Sequence, residues 1–287
     1  MLVVLAGFVL LKKRVITIAS LKRFIERFPR VTSFYRRLRD EMDRHDKPLK
    51  TPWGFLFAGH ETMAKGDFEQ DETLAFREHM KSCDILINVG ANVGYYCCHA
   101  LNMDKEVIAV EPIHRNLHYL LTNLRINGWS QKVEVFPLAL ADKPDILKIW
   151  GGQTGASLVK GWASIPESYF NYVPVLTLDR ILDDRLNGLR SFLLVDIEGA
   201  EYLMLKGAYK ILKHEPRPVW MIEIDFAENQ PGSDEINSQF ESTFSLMFDA
   251  GYRAYLPDDK TTELSIDDIR NAVKQKKPFP YYTFIFK

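Results

Sequence analysis

The 287-residue chain is predicted to be an α/β protein, with a mostly parallel sheet carrying helices on both faces. Two observations predict it. Strand-length apolar runs at 84–89, 106–111, 132–137, 192–197 and 219–225 alternate with helix-length segments such as 115–127 and 200–212, a pattern of right-handed crossovers between parallel strands. The first of these runs ends in Gly90-Ala91-Asn92-Val93-Gly94, a glycine turn leading into a helix, which is the first half of a nucleotide-binding unit. With 46% hydrophobic residues the chain can bury one large core.

Before the core, residues 1–47 are expected to form an apolar and basic helical arm, leaving 48–287 as the catalytic-size domain. The run Met1 to Leu11 precedes Lys12-Lys13-Arg14. It is short of the roughly 20 residues a spanning helix needs, and its charges follow the apolar run, the reverse of a secretory signal. Two readings stand for this segment: a buried N-terminal helix or strand, or peripheral membrane contact through residues 1–28. A cytoplasmic location, with membrane association under the second reading, is expected. Cys83, Cys97 and Cys98 make no disulfide framework and no metal-binding Cys-x-x-Cys pair. A formal net charge of −1 gives no field that would gather nucleic acid.

Further along, 53–57 reads as a short strand, and 146–150 and 172–176 are strand-like around Gly151 to Ser157. A hairpin-like insertion or lid is therefore expected before the strand at 192. Near the end, 252–256 and 281–286 suggest an antiparallel pair, with no obviously amphipathic helix after the first.

The turn at 90–94 was compared with the dinucleotide fingerprint Gly-x-Gly-x-x-Gly. Only Gly90 fits; Asn92 and Tyr95 stand where a pyrophosphate needs bare backbone. This disfavours a nicotinamide-dependent oxidoreductase. A smaller anionic end, such as the carboxylate of S-adenosylmethionine, needs fewer glycines and suits a helix N-terminus. Glu111 lies 21 residues after Gly90, at a strand end before Pro112, where an acid can take both ribose hydroxyls. Asp196, Glu198 and Glu201 come together at the end of another strand, with Glu223 at the end of a further one. Such acids suit a cationic sulfonium, a hydroxyl to be deprotonated or a divalent metal, and Glu201 equally suits a helix first turn. His114 and His118 share a helix face, but without a third ligand they read as solvated, and no metal site is assigned.

Together these residues resemble the FkbM-type methyltransferases of the Rossmann-like S-adenosylmethionine-dependent superfamily. The resemblance rests on Asn88 to Tyr96, on Glu111-Pro112 with Asn116, Asn123 and Asn127, on Thr177-Leu178-Asp179, on Asp196 to Glu201, and on Phe68-Glu69, Gly155 to Leu158 and Glu223-Ile224. It covers about residues 66 to 256. Two positions depart: Asn88 stands where the family has an acid, and Leu194 where it often has a lysine.

The resemblance implies a class I methyltransferase fold with a seven-stranded sheet, and S-adenosylmethionine as methyl donor. Carried over by position, Asn88, Gly90, Asn92 and Gly94 would hold its amino-acid end, and Glu111 and Pro112 the ribose. Asn116 would support the Glu111 turn, Ala139 and Leu140 would line the adenine, and Asp196 would lie beside the sulfonium. Asp196, Glu198 and Glu223 are the candidates for proton acceptor from a hydroxyl of a small-molecule or glycan acceptor. The alternative is a non-catalytic S-adenosylmethionine-binding or membrane-tethered interaction protein. The acceptor pocket is expected in the 151–172 insertion and the 226–237 loop.

Overall fold

The structure, a computed structural model, describes residues 47–231, 236–259 and 261–287. The expected helical arm and the segment 1–28 lie outside the described residues.

A two-stranded ribbon, β1 (Leu49–Lys50) and β2 (Leu56–Phe57), opens the described chain, followed by α1 (Glu61–Lys65) and α2 (Gln70–Met80). Then come β3 (Ile85–Val89), α3 (Tyr95–Asn102), β4 (Glu106–Val110), α4 (His114–Ile126) and β5 (Val133–Phe136). The insertion follows as β6 (Ala139–Leu140), β7 (Asp145–Trp150) and β8 (Phe170–Leu176), and α5 (Leu178–Leu182) leads back to β9 (Ser191–Val195). The chain closes with α6 (Glu201–Leu205), β10 (Val219–Glu223), α7 (Phe240–Asp249), β11 (Ala254–Tyr255), α8 (Ile266–Gln275) and β12 (Thr283–Phe286).

The main sheet has seven strands in the order β11-β12-β10-β9-β3-β4-β5. Strands β10, β9, β3, β4 and β5 run parallel, and β12 is antiparallel to both its neighbours. The seven-stranded, mostly parallel α/β fold is thus present. All five residues of β3 are buried, as an interior parallel strand covered on both faces requires. One face packs on Phe76, Met80, Cys97, Leu101 and Leu120 from α2, α3 and α4. The other packs on Leu178, Leu182, Met204, Phe240, Phe244 and Ile269 from α5 to α8. Each such side chain contributes about 1.5–3 kcal/mol on burial, against at most about 0.7 kcal/mol between ordinary residues in helix propensity, so packing decides where these elements stand.

The hairpin-like insertion is a separate three-stranded sheet, β6-β8-β7, with Trp150 opposite Phe170. Three expectations need correction. The helix expected over 200–212 is only Glu201–Leu205, followed by a 3₁₀ turn at Ile211–Lys213. Gly207 is pressed on Ala141, where a Cβ would come within 2.3 Å of the carbonyl oxygen. The Asp179 carboxylate takes the N–H groups of Lys210 and Ile211 at 3.0 and 3.1 Å, drawing them out of a helical ladder. A helix also stands between the last two strands: α8 is fixed by a capping box in which Ser265 and Asp268 exchange hydrogen bonds. At the N-terminal end, the strand expected at 53–57 is confined to Leu56–Phe57.

Candidate functional site

The turn after β3 is built by backbone. Gly90 and Ala91 both donate to the Val110 carbonyl at 2.9 Å, bending the chain over the end of β4. Gly90 has φ +82°, and a Cβ there would lie 1.8 Å from the Asp196 carbonyl oxygen; only glycine allows β3 and β9 to end this close together. Asn92 is left-handed at φ +51° and caps its own turn, its Oδ1 accepting from Val93 N–H at 2.8 Å. Gly94 serves packing: its Cβ would meet Leu120 at 2.5 Å, so its absence lets α3 approach α4.

Glu111 closes the neighbouring turn. Its Oε2 accepts from Asn92 N–H at 2.8 Å, and its Oε1 accepts from Ile113 N–H at 2.7 Å and from Asn116 Nδ2 at 3.2 Å. The carboxylate is 3% exposed, and burial pushes its proton affinity up to about 7 against the opposing pull of those three donors. The other asparagines of α4 tie the ribbon to this edge. Asn123 bonds both backbone groups of Ala58 and the Val93 carbonyl, and Asn127 bonds both backbone groups of Leu56.

A cleft of about 540 Å³ lies over these turns. Gly90, Asn92, Glu111, Pro112 and Asn116 line one part, and Ile113, Leu138, Ala139, Leu140 and Ile149 form an apolar wall. Asp196 and Glu198 complete it, with Gln153, Thr154 and Leu158 arriving from the insertion. The structure therefore brings most of the sequence-predicted residues to one cleft, and leaves three out. Asn88 is 1% exposed and turns its amide to Cys97 Sγ at 3.4 Å, below the floor of the turn. Gly94 is behind the turn against Leu120. Glu223 lines a small adjoining pocket, with Glu69, Tyr96 and Thr283. Asp196 lines both.

The acids differ in their partners. Asp196 ends β9, and its proton affinity is driven well above the usual carboxylate range, first by burial and then by Glu223, Glu198, Glu69 and Glu201. Glu198, at φ +55°, accepts from Trp162 Nε1 at 2.7 Å, and its carbonyl accepts from Ser157 Oγ at 2.5 Å. Trp162 also packs against Gly199, where a Cβ would meet the ring at 2.4 Å. Insertion and β9 loop are thereby clamped together. Burial raises Glu198, while the Trp162 hydrogen bond pulls it down. Glu201 is an internal brace: 3% exposed, it accepts from Gly199 N–H at 3.0 Å and from Ile197 N–H at 3.4 Å, and burial raises it to about 7. Glu223 is also raised, chiefly by burial, with Glu198 the largest charge acting on it.

Sequence reasoning expected the acceptor pocket in the 151–172 insertion but did not single out Gln153, Thr154 or Trp162 within it, since no period or spacing marks them. It noted Glu69 and Tyr96 only as parts of a family pattern. Their link, Tyr96 Oη donating to Glu69 at 2.9 Å, spans 27 residues of sequence.

The geometry agrees with the outcome of comparison. A family model described as the methyltransferase FkbM domain matches residues 88–254, more than half of the chain. Among solved structures, an FkbM methyltransferase from Methylobacillus flagellatus KT is 18% identical, with a TM-score of 0.42, over 71% of this chain and 43% of that one. The chain thus spans less than half the length of that protein. A precorrin-6y C5,15-methyltransferase from Geobacter metallireducens is 12% identical (TM-score 0.41; 80% and 91% covered). A SAM-dependent methyltransferase from Agrobacterium tumefaciens is 10% identical (TM-score 0.42; 84% and 69% covered). No curated protein matches the sequence significantly. On the family match, the chain belongs to the FkbM methyltransferases.

Proposed function

We propose that the protein transfers a methyl group from S-adenosylmethionine to a hydroxyl of a small-molecule or glycan acceptor. S-adenosylmethionine, the methyl donor of the family, supplies a methyl already activated on a sulfonium. What supports the acceptor class is one observation: Asp196 and Glu198 line the same cleft as Gly90, Asn92 and Glu111, so proton-accepting groups stand beside the nucleoside turns.

The residues present fit such a donor. The bare backbone at Gly90, with Asn92 beside it in the cleft, suits its amino-acid end. The apolar wall of Leu138, Ala139 and Leu140 suits a flat base. Glu111 has three of about four carboxylate acceptor sites already filled by its own turns. One position on Oε2 is left, so Glu111 takes one ribose hydroxyl rather than gripping two.

The chain's own contribution is to hold the hydroxyl oxygen in line and to accept its proton. Orientation alone supplies on the order of 7–11 kcal/mol in favourable intramolecular cases. Asp196 is the first candidate base, because it alone of the three acids lines both the cleft and the adjoining pocket. Glu198 is held by Trp162, and Glu223 stands one strand further. The test is tritiated methyl transfer into cell extract by wild type and Asp196→Asn. Wild-type labelling with a loss of about 10²–10⁴-fold in the variant, at unchanged S-adenosylhomocysteine binding by calorimetry, is the expected result. Equal labelling by both would remove Asp196 from the chemistry.

Among the described residues no helix is long and apolar enough to cross a membrane.

A further inference from the structure

Trp162 sits where the insertion, the loop after β9 and the loop after β10 meet, and on all three the backbone is held off its ordinary geometry. Of the nine non-glycine residues with positive φ among the described ones, four stand at this junction: Ala163 (+48°) and Ser164 (+54°) in the insertion, Glu198 (+55°) after β9 and Asn229 (+60°) after β10. Such conformations persist only where the surroundings over-determine them, and they gather at functional sites. Here the surroundings do so. Ala163 N–H donates to the Asn229 carbonyl at 2.7 Å, and a Cβ on Gly161 would stand 3.3 Å from Pro231. These contacts fix the segment that carries Trp162.

The indole is 1% exposed, and it gives its one polar hydrogen to Glu198 Oε2. Glu198 is fixed from the other side as well, since its carbonyl accepts from Ser157, which is fully buried and bridged to Trp150. What stays open is Oε1. It accepts from no described residue, and it lies 3.7 Å from the Cβ position of Gly155, next in the chain to Thr154 of the cleft. Packing against Gly199 accounts for the ring of Trp162; it does not account for an N–H placed on a carboxylate that lines the cleft. A side chain with one oxygen pinned and the other open is ordered before any ligand arrives, which removes that cost from binding.

Resting on the methyltransferase reading above, we infer that Trp162 is a positioning residue for the acceptor: it pins one oxygen of Glu198 so that the other receives an acceptor hydroxyl and holds it in the cleft. Glu198 then binds, and Asp196, two residues before it in the same cleft, takes the proton of the reacting hydroxyl. A hydroxyl has one proton to donate, so an acceptor that engages both residues carries at least two hydroxyls. In the transfer the acceptor oxygen bonds the methyl carbon as the sulfur–carbon bond breaks. The sulfonium charge is thereby cancelled, and the proton passes to the Asp196 carboxylate.

The full chain is incubated with tritiated S-adenosylmethionine and cell extract, and the fraction that takes up label serves as acceptor for the variants. Trp162→Phe keeps a ring beside Gly199 and loses the indole N–H; Glu198→Gln keeps an oxygen for Trp162 and turns an amide N–H₂ to the cleft. Each is expected to raise the acceptor KM by about tenfold, the least that a lost hydrogen bond to a charged group implies, with the larger effect in KM than in kcat and S-adenosylhomocysteine affinity unchanged by calorimetry. Because Trp162 acts through Glu198, the double variant is expected to match Glu198→Gln alone. A rise of about a hundredfold in the double variant, the product of two independent effects, overturns the inference. So does an unmoved KM in either variant, and Glu198→Gln, which leaves the indole in place, carries that test if Trp162→Phe does not fold. The labelled product should keep a hydroxyl that can be acetylated; one with none overturns the inference too. A protein that fails to bind S-adenosylhomocysteine overturns the methyltransferase reading itself.

Discussion

Replacing Gly90 by alanine tests whether the ends of β3 and β9 meet as described. Two costs are involved. At φ +82° an L-residue is strained by roughly 1–2 kcal/mol. The new Cβ would also stand 1.8 Å from the Asp196 carbonyl oxygen, a backbone atom that cannot rotate away, and overpacking of this kind adds about 1–3 kcal/mol or more. The expected loss is about 2–5 kcal/mol. At roughly 2–4 °C per kcal/mol for a chain of this size, Tm falls by about 4–20 °C. Gly188→Ala is the matched control: φ is +77°, but nothing lies within 4 Å of its Cβ position. Only the strain applies there, so Tm falls by about 2–8 °C. Thermal scanning of both proteins reads the difference, and calorimetry with S-adenosylhomocysteine reads the site. Gly90→Ala should weaken binding by at least about tenfold, the equivalent of about 1.4 kcal/mol, while Gly188→Ala binds as wild type. Equal losses of stability in the two variants would refute the close approach of Gly90 to Asp196.

Two further outcomes follow from the buried acids. Glu111→Gln leaves an amide N–H₂ facing at least one backbone donor; a hydrogen bond to a charged group is worth about 1.5–3 kcal/mol, so Tm is expected to fall by roughly 3–12 °C, with weaker S-adenosylhomocysteine binding by calorimetry. Burial raises Glu69, Glu111 and Glu201 to about 7 and Asp225 to about 6, whereas the unfolded chain releases the same protons near pH 4. The folded state then holds more protons across this window, and stability present below about pH 4 is lost as pH rises to about 7. The ligand-free protein should melt higher at pH 6 than at pH 8 in scanning fluorimetry; a flat or opposite trend counts against the buried acids. The exposed carboxylates held low, Asp84 and Asp259, titrate below this range and do not disturb the comparison.

The parts of the fold legible in the sequence are those whose cause is local. The β3, β9 and β10 strands were visible because a strand covered on both faces must be apolar throughout. The Ser265 and Asp268 capping box was equally local, and Ile266, Ile269, Ala272 and Val273 behind it make an apolar stripe at helical spacing, so α8 was legible and was overlooked. Other features were not written in any window. The packing of Gly94 against Leu120 joins residues 26 apart and shows in no local window. The helix expected at 200–212 is interrupted by Asp179, some 30 residues upstream. Glu111 has the spacing of a ribose ligand, but its occupancy by Asn92, Ile113 and Asn116 depends on how two turns meet. The adjoining pocket joins Glu69, Asp196, Glu223 and Thr283 from across the chain, and its carboxylates could be read only one at a time.

The two departures from the family pattern gain a joint explanation from the register. Asn88 and Leu194 are opposite each other across β3 and β9, on the same buried face. An acid at 88 and a lysine at 194, as the resembled pattern has them, would thus be neighbours across two strands, where this chain has two uncharged residues. Such a double exchange can be nearly neutral, whereas leaving one charge behind costs on the order of 3–5 kcal/mol. Asn88→Asp alone should therefore destabilise by about that amount at pH 8, because Cys97 and Leu194 offer it no cation. Leu194→Lys alone has Asp196 two residues along the same face, so its loss should be smaller. The double variant should recover part of the sum, with a coupling of about 0.5–3 kcal/mol in a urea-denaturation cycle. S-adenosylhomocysteine affinity should be unchanged by Asn88→Asp, since this side chain lies beneath the turn and outside the cleft. Strict additivity in the cycle would break the pairing of the two positions. Tighter binding by Asn88→Asp would put residue 88 back among those that touch the donor.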